Sequence, residues 1–203
     1  MTSFTERTKA SLREALLDAA ADLLPDRGHA ALRMADVAAR AGVSRQTVYN
    51  EFGNKAALTQ AVALRTTSEF LDGIRQRFAD AGDLLDGIHF AVVYTIEHAR
   101  ENRLVAAALG TDAAEDLLPL LTSRGEPILT AAADLAAEQY LELEPALSPE
   151  AAALLAETVV RLSLSHLVLP THSAVEAADA VLAVLAPAVD RFVHNGVTRK
   201  GQS

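Results

Sequence analysis

Apolar positions recur along this chain at intervals of three and four, the spacing that lines one face of an α-helix. Leu12, Leu16, Ala19, Ala20 and Leu23 predict a first helix over about residues 8–24, stopped by Pro25 and Gly28. Met34, Val37, Ala38 and Ala41 predict a short second one. Gly42 ends it, because glycine takes a positive φ without steric cost. Ser44 is a good N-cap for a third helix, 45–52, in which Val48 and Phe52 lie one turn apart and point inward. Asn54 caps a fourth, carrying Leu58, Val62, Phe70, Ile74 and Phe78 to about Ala79. At about 1.5 Å per residue that helix is about 37 Å long, enough to link a small head to a separate body.

Beyond a turn at 80–83, further helices are predicted over 84–100 and 103–109, with another capped by Asp112 and ending near Gly125. The next covers 126–143, with Pro127 in its permissive first turn. After a linker at 144–149, Ser148 caps a helix reaching Leu169. Ser173 caps the last, which is expected to kink at Pro187 and to end near Asn195-Gly196. No β-branched alternation appears. The expected fold is therefore all-α, with about nine or ten helices. Its expected parts are an N-terminal three-helix domain over 1–55, a helical body over 56–196 and a frayed tail over 197–203.

The last two helices, 149–169 and 174–194, are apolar or alanine-rich around nearly their whole circumference, so each must be buried on more than one side. A body this small cannot enclose both, which predicts a second copy of the chain packing there in a four-helix dimer bundle. Leu155, Val159, Leu162, Val181, Leu185 and Val189 are the candidate interface residues.

Composition narrows the setting. Half the chain is hydrophobic, enough for a substantial core, and there is no cysteine, which excludes disulfides and thiolate chemistry. The first fourteen residues are polar and mixed in charge, unlike a signal peptide. No apolar run reaches the roughly 20 residues of a membrane span, so a soluble cytoplasmic protein with no membrane contact is expected. The net charge of −9 is unevenly spread. Residues 1–55 carry eight Lys/Arg against seven Asp/Glu, and the remainder ten against twenty. Arg33, Arg40, Arg45 and Lys55 gather around the two short helices, an asymmetry compatible with a local phosphate-binding surface on an acidic body.

With Val48 and Phe52 turned inward, the third helix presents Arg45, Gln46, Thr47, Tyr49 and Asn50 outward. All of them can donate to phosphates or base edges. Two short helices joined by a tight Gly turn, the second with a polar outer face, form the helix-turn-helix pattern. Residues 12–62 resemble the DNA-binding domain of the TetR family of bacterial transcriptional regulators. The resemblance is carried by Val-Ala-Ala-Arg-Ala-Gly-Val-Ser at 37–44, Thr-Val-Tyr at 47–49 and Phe-Gly-Asn-Lys-Ala-Ala-Leu at 52–58. The chain departs from the family at the start of the second helix, where Leu32-Arg33 stands in place of a capping Thr or Ser.

The resemblance implies a repressor that binds a near-palindromic double-stranded operator as a homodimer. It also implies a small molecule in the body that spreads the two heads and releases the DNA. Arg45, Gln46, Thr47 and Asn50 are the candidates for base edges. Arg33, Tyr49 and Lys55 are the candidates for phosphates, and Ser44 stands at the start of the same surface. Candidate pocket residues are Phe70, Ile74, Phe78, Phe90, Val93, Tyr94, Leu117, Leu121 and Ile128, with Arg161 and His166 as polar groups. Each apolar one is more often ordinary core. Arg161, a charge in an apolar helix, reads either as a buried pair with an acid of a neighbouring helix or as an anchor for a ligand carboxylate. The aliphatic lining leans toward a fatty acid or acyl-CoA.

Two other classes are weaker. A metal-responsive regulator would need ligands among His29, His89, His98, His166, His172 and His194, but His89 and His98 are nine apart and share no helix face at ligand spacing. An all-helical enzyme finds no support, since there is no Gly-rich phosphate loop, no Gly-x-Ser-x-Gly and no His-Glu-x-x-His. The adjacent acids Glu115 and Asp116 read as solvated. No catalytic residue, metal site or cofactor is expected. An activator would share every one of these DNA-binding features.

Overall fold

A computed structural model describes the backbone of residues 4–109 and 117–200 and the side chains of 7–109 and 117–194. The cap expected at Asp112 and the acids Glu115 and Asp116 lie outside the described residues. Every regular element among the described residues is helical: α1 (Phe4–Ala31), α2 (Met34–Ala41), α3 (Arg45–Phe52), α4 (Lys55–Ala79), α5 (Leu84–Glu101), α6 (Arg103–Leu109), α7 (Glu126–Leu143), α8 (Pro149–Val168) and α9 (Ala174–Lys200). A 3-10 turn covers Leu118–Leu120.

Local chemistry sets most of these boundaries. Asn54 Oδ1 accepts from the Ala57 N–H at 2.9 Å and Asp83 Oδ1 from the Asp86 N–H at 2.9 Å. Ser148 Oγ accepts from the Ala151 N–H at 3.2 Å. Ser173 and Glu176 form a reciprocal box: the Ser173 N–H and hydroxyl donate to Glu176 Oε2, and the Glu176 N–H donates back to Ser173 Oγ. Those two bonds from Ser173 hold the Glu176 carboxyl below the usual carboxylate range.

Two ends differ from expectation. α1 passes through Pro25 and is broken only at Gly28, whose φ of 69° and ψ of 171° are not helical. Leu24 and Leu32, on either side, are 0 % and 2 % exposed. Two such burials, at about 1.5–3 kcal/mol each, match the ~3 kcal/mol that a proline costs inside a helix. α9 likewise runs through Pro187 and past Gly196 to Lys200, where a mid-helix glycine costs only about 1 kcal/mol.

The chain divides into two compact units. The first combines Met1–Thr66 with Asn102–Ser123, and the second Thr67–Glu101 with Arg124–Ser203. α6 thus belongs with the head, although the sequence expectation put it in the body. It packs on α1 through buried Leu104 and Ala108.

In the second unit α8 packs on α5, α7 and α9, around a core that includes Phe78, Ile88, Ile96, Leu135, Tyr140, Leu155 and Val181. Burial pushes the Tyr140 phenol up from its ordinary pKa. The six side chains expected at a dimer interface are spent here. Leu155, Val159, Val181, Leu185 and Val189 are buried in the chain's own core, and Leu162 is half-buried against it. On α8, α9 and their connection the large apolar residues left to solvent are Leu154 (56 % exposed), Leu169 (71 %), Val175 (50 %) and Val184 (69 %). Among the described helices α8 is long and apolar enough by composition to cross a membrane, although Glu150, Glu157 and Arg161 interrupt it. Here one face of it is spent on core packing.

Gly87 is buried on α5, and a Cβ there would lie 2.6 Å from the Phe78 ring and 3.1 Å from Leu143 Cδ1. Phe78 is 2 % exposed and has little room to retreat. Gly87→Ala should therefore destabilise the second unit by about 1–3 kcal/mol despite its better helix propensity. Thermal unfolding measures the loss.

Candidate nucleic-acid interface

The interface begins with a helix that lacks its usual cap. Arg33, the N-cap of α2, makes no side-chain capping bond. Such a loss costs about 1 kcal/mol, less than the burial of Met34 and Val37, at about 1.5–3 kcal/mol each. Both are nearly inaccessible, at 4 % and 0 % exposed. Packing therefore carries this helix. It closes at Gly42, with φ 68°, where the Val43 N–H donates to the Ala38 carbonyl at 3.0 Å. α3 then starts on Ser44, whose Oγ accepts from the Thr47 N–H at 3.1 Å and lies 2.9 Å from Thr47 Oγ1. The Ser44 hydroxyl is thus engaged in the cap.

Val48 is 0 % exposed and Phe52 8 %, which turns the opposite side of α3 outward. Arg45, Gln46 and Asn50 are exposed there, while Thr47 and Tyr49 are half-buried. The outward side chains are paired along the helix. Arg45 Nη2 donates to Tyr49 Oη at 3.2 Å with its guanidinium 5.2 Å from the ring centroid, and Gln46 Nε2 donates to Asn50 Oδ1 at 2.8 Å. Pairs at this spacing are worth only about 0.2–0.5 kcal/mol. They hold the side chains in order yet yield readily to a base edge or phosphate.

Ion pairs sort the surrounding cations. Glu14, Asp18, Asp22 and Asp26 are spaced four apart on α1 and form one acidic row. Arg65 of α4 meets Glu14 and Asp18 at 3.3 and 2.6 Å, Arg40 of α2 binds Asp22 through Nε at 3.0 Å, and Arg103 of α6 meets Asp26 at 3.0 Å. Arg27 pairs with Asp36, and Arg13 with Glu51. Lys55 Nζ donates to the Ala30 carbonyl at 2.9 Å, tying the start of α4 to the end of α1. Arg40, counted by sequence among the DNA-side cations, is thus committed to Asp22. Among the described residues around the motif, Arg33 and Arg45 have no carboxylate partner. The acid row was visible as a four-residue period. Its partners, scattered over three elements, were not.

The candidate pocket residues do not all come together. Ile74 and Phe78 are in the core of the second unit, with Phe70, Val93 and Tyr94 packed partly buried against it. Ile128 is 9 % exposed, and Phe90, at 47 %, faces outward. Leu117 and Leu121 fall in the first unit. Arg161 is exposed and pairs with Glu157 of its own helix at 2.7 Å, so the buried pair with a neighbouring helix is not formed. His166 is half-buried, 6.1 Å from His172 between ring centroids. Tyr94 stacks between Phe70 at 5.1 Å and His98 at 4.0 Å, and His98 Nδ1 is buried without a partner. By sequence His98 stands out only as a candidate metal ligand. Its position one turn after Tyr94 was the available signal. Among the described residues no three His or carboxylate side chains converge in metal-ligating geometry.

A capped α3 with a polar outer face, held against α2 across a glycine turn, defines a helix-turn-helix DNA-binding protein. Residues 16–62 match the family described as "Bacterial regulatory proteins, tetR family", and residues 83–187 match "Bacterial Tetracyclin repressor, C-terminal domain". The transcriptional regulator AlkX of Mycobacterium tuberculosis is 32 % identical over 189 residues, 93 % of this chain and 90 % of that protein. The crystal structure of the TetR family repressor AlkX from Dietzia sp., implicated in biodegradation of n-alkanes, aligns with a TM-score of 0.73 and 28 % identity. The alignment covers 89 % of this chain and 96 % of that one. FadR of Bacillus subtilis, solved with stearoyl-CoA, shares the fold at a TM-score of 0.53 and 14 % identity, over 85 % of this chain and 96 % of that one. This chain belongs to the TetR family of transcriptional regulators.

Because Ser44 satisfies an N–H of an eight-residue helix, Ser44→Ala should cost the head about 1 kcal/mol. Hydrogen exchange at the Thr47 amide should speed up accordingly, with the second unit unaffected.

Proposed function

We propose that the chain represses transcription as a homodimer on a near-palindromic operator and releases it when a lipid-like molecule binds its helical body. The observation that carries this is α3, whose buried Val48 and Phe52 leave Arg45, Gln46 and Asn50 exposed together. In this reading Arg45 favours guanine, Gln46 or Asn50 favours adenine, and Thr47 reaches either. Arg33, Tyr49 and Lys55 hold phosphates, helped by the backbone N–H groups at the start of α4. The protein acts in the cytoplasm, on double-stranded DNA.

One such helix reads only a few base pairs. A two-fold dimer sets two of them in successive major grooves, roughly 34 Å apart. The surface for the second copy is the apolar remainder of α8 and α9 with their connection, Leu154, Leu169, Val175 and Val184, which the chain itself leaves uncovered. The repressive sign and the lipid-like effector are supported by the Dietzia repressor's link to n-alkane breakdown and by the aliphatic body. The fold neighbour FadR, which holds stearoyl-CoA, points the same way. Release needs only that the ligand bind the DNA-incompetent dimer more tightly, since that difference in affinity is the whole coupling.

Selection from random DNA should recover inverted half-sites with centres roughly ten base pairs apart. No enrichment, or a lone half-site, would remove the dimeric reading. Leu154→Glu with Val184→Glu should give a monomer by light scattering and lose most operator affinity while keeping its helical signal.

Long-chain fatty acids or acyl-CoAs should release the operator and stabilise the protein by about 2.7 kcal/mol at a hundredfold excess over Kd. If thermal shift and operator binding both stay unchanged, the lipid class is wrong.

A further inference from the structure

Glu51 is an acid where none is wanted. It lies in the last turn of α3, at the negative end of the helix dipole. It also stands one turn beyond Thr47 on the same strip of a helix meant to approach a polyanion. Its side chain is 13 % exposed, and the partner facing it is Arg13 of α1, whose Nη1 donates to Glu51 Oε1 at 2.9 Å. The same guanidinium lies 4.7 Å from the centroid of the Phe52 ring. Phe52 is one of the two buried residues that fix the rotation of α3. A planar guanidinium can present its face to a ring and its edge to a carboxylate at once, which an ammonium cannot.

We infer that Arg13 is a positioning residue for DNA recognition: it holds and neutralises Glu51 at the end of α3, so that the polar face meets the phosphates without a repelling carboxylate. This rests on the DNA-binding reading above. The pair is not there mainly for stability. The Arg13 side chain is 43 % exposed, so solvent screens the pair from its side, while Glu51 at 13 % is the sheltered partner that needs the charge. Removing Arg13 leaves a carboxylate uncompensated at the end of the reading helix. Removing Glu51 removes the repulsion itself.

The test is fluorescence anisotropy on the selected operator at one salt concentration, with wild type, Arg13→Gln, Glu51→Gln and the double variant. Arg13→Gln should weaken binding about tenfold, the scale of one like-charge repulsion at a partly solvated site. Glu51→Gln should bind at least as well as wild type. The double variant should fall within about twofold of Glu51→Gln, a non-additivity that measures the coupling. A plain structural bridge predicts otherwise: both single variants weaken binding equally and the double is no better, and that outcome overturns the proposal. So does Arg13→Gln binding like wild type. If Arg13→Gln loses its circular dichroism signal, Glu51→Gln alone decides, because weaker binding there is incompatible with a repulsive carboxylate. If wild type enriches no DNA at all, the DNA-binding reading falls first and this proposal with it.

Discussion

The burial of Val48 and Phe52 is the contact on which the head depends. α3 has eight residues, far short of the roughly 12–15 at which an isolated helix becomes even marginal in water. It exists because its two apolar side chains are withdrawn from solvent. Their spacing then dictates that Arg45, Gln46 and Asn50 are left outside, with Thr47 and Tyr49 half-buried beside them. The reading surface is therefore a by-product of core packing. The same holds for α2, whose missing cap is outweighed by Met34 and Val37.

Around this packing the head uses charge for alignment more than for stability. The acidic row of α1 draws in arginines from α2, α4 and α6, each pair being worth little in free energy but specific in geometry. The −9 net charge consequently does not oppose DNA binding. Glu14, Asp18, Asp22 and Asp26 of α1 are occupied, and among the described cations beside the motif Arg33 and Arg45 keep no carboxylate while Lys55 bonds a backbone carbonyl. In the body the governing quantity is apolar surface. α5, α7 and α9 all claim a share of α8, and what they cannot cover is left to solvent.

Local rules were legible to the residue. The span of α7, the caps at Ser44, Asn54, Ser148 and Ser173, and the positive φ of Gly42 all follow from short-range chemistry that a sequence displays. Choices between partners were not. In a helix that is apolar all round, periodicity cannot say which side meets its own chain, so Leu155 and Val181 were assigned outward when Leu154 and Val184 are the exposed ones. The apolar neighbours of Arg161 in sequence point to burial, yet it projects to solvent and finds Glu157 one turn away. Pro25 reads as a stop in the sequence because the burial of Leu24 and Leu32 on either side is a tertiary fact.

The allegiance of α6 bears on how such regulators can be recombined. The head is discontinuous in sequence: its compact unit needs Asn102–Ser123 as well as the residues before Thr67. A gene fusion joined at residue 66 would leave behind Leu104, which α1 helps to cover, and the arginine that answers Asp26. A new sensing body can be grafted onto this head only if the graft carries that returning segment in compatible form. The boundary that matters for modular evolution is thus drawn by packing, and a cut after the recognition motif would miss it.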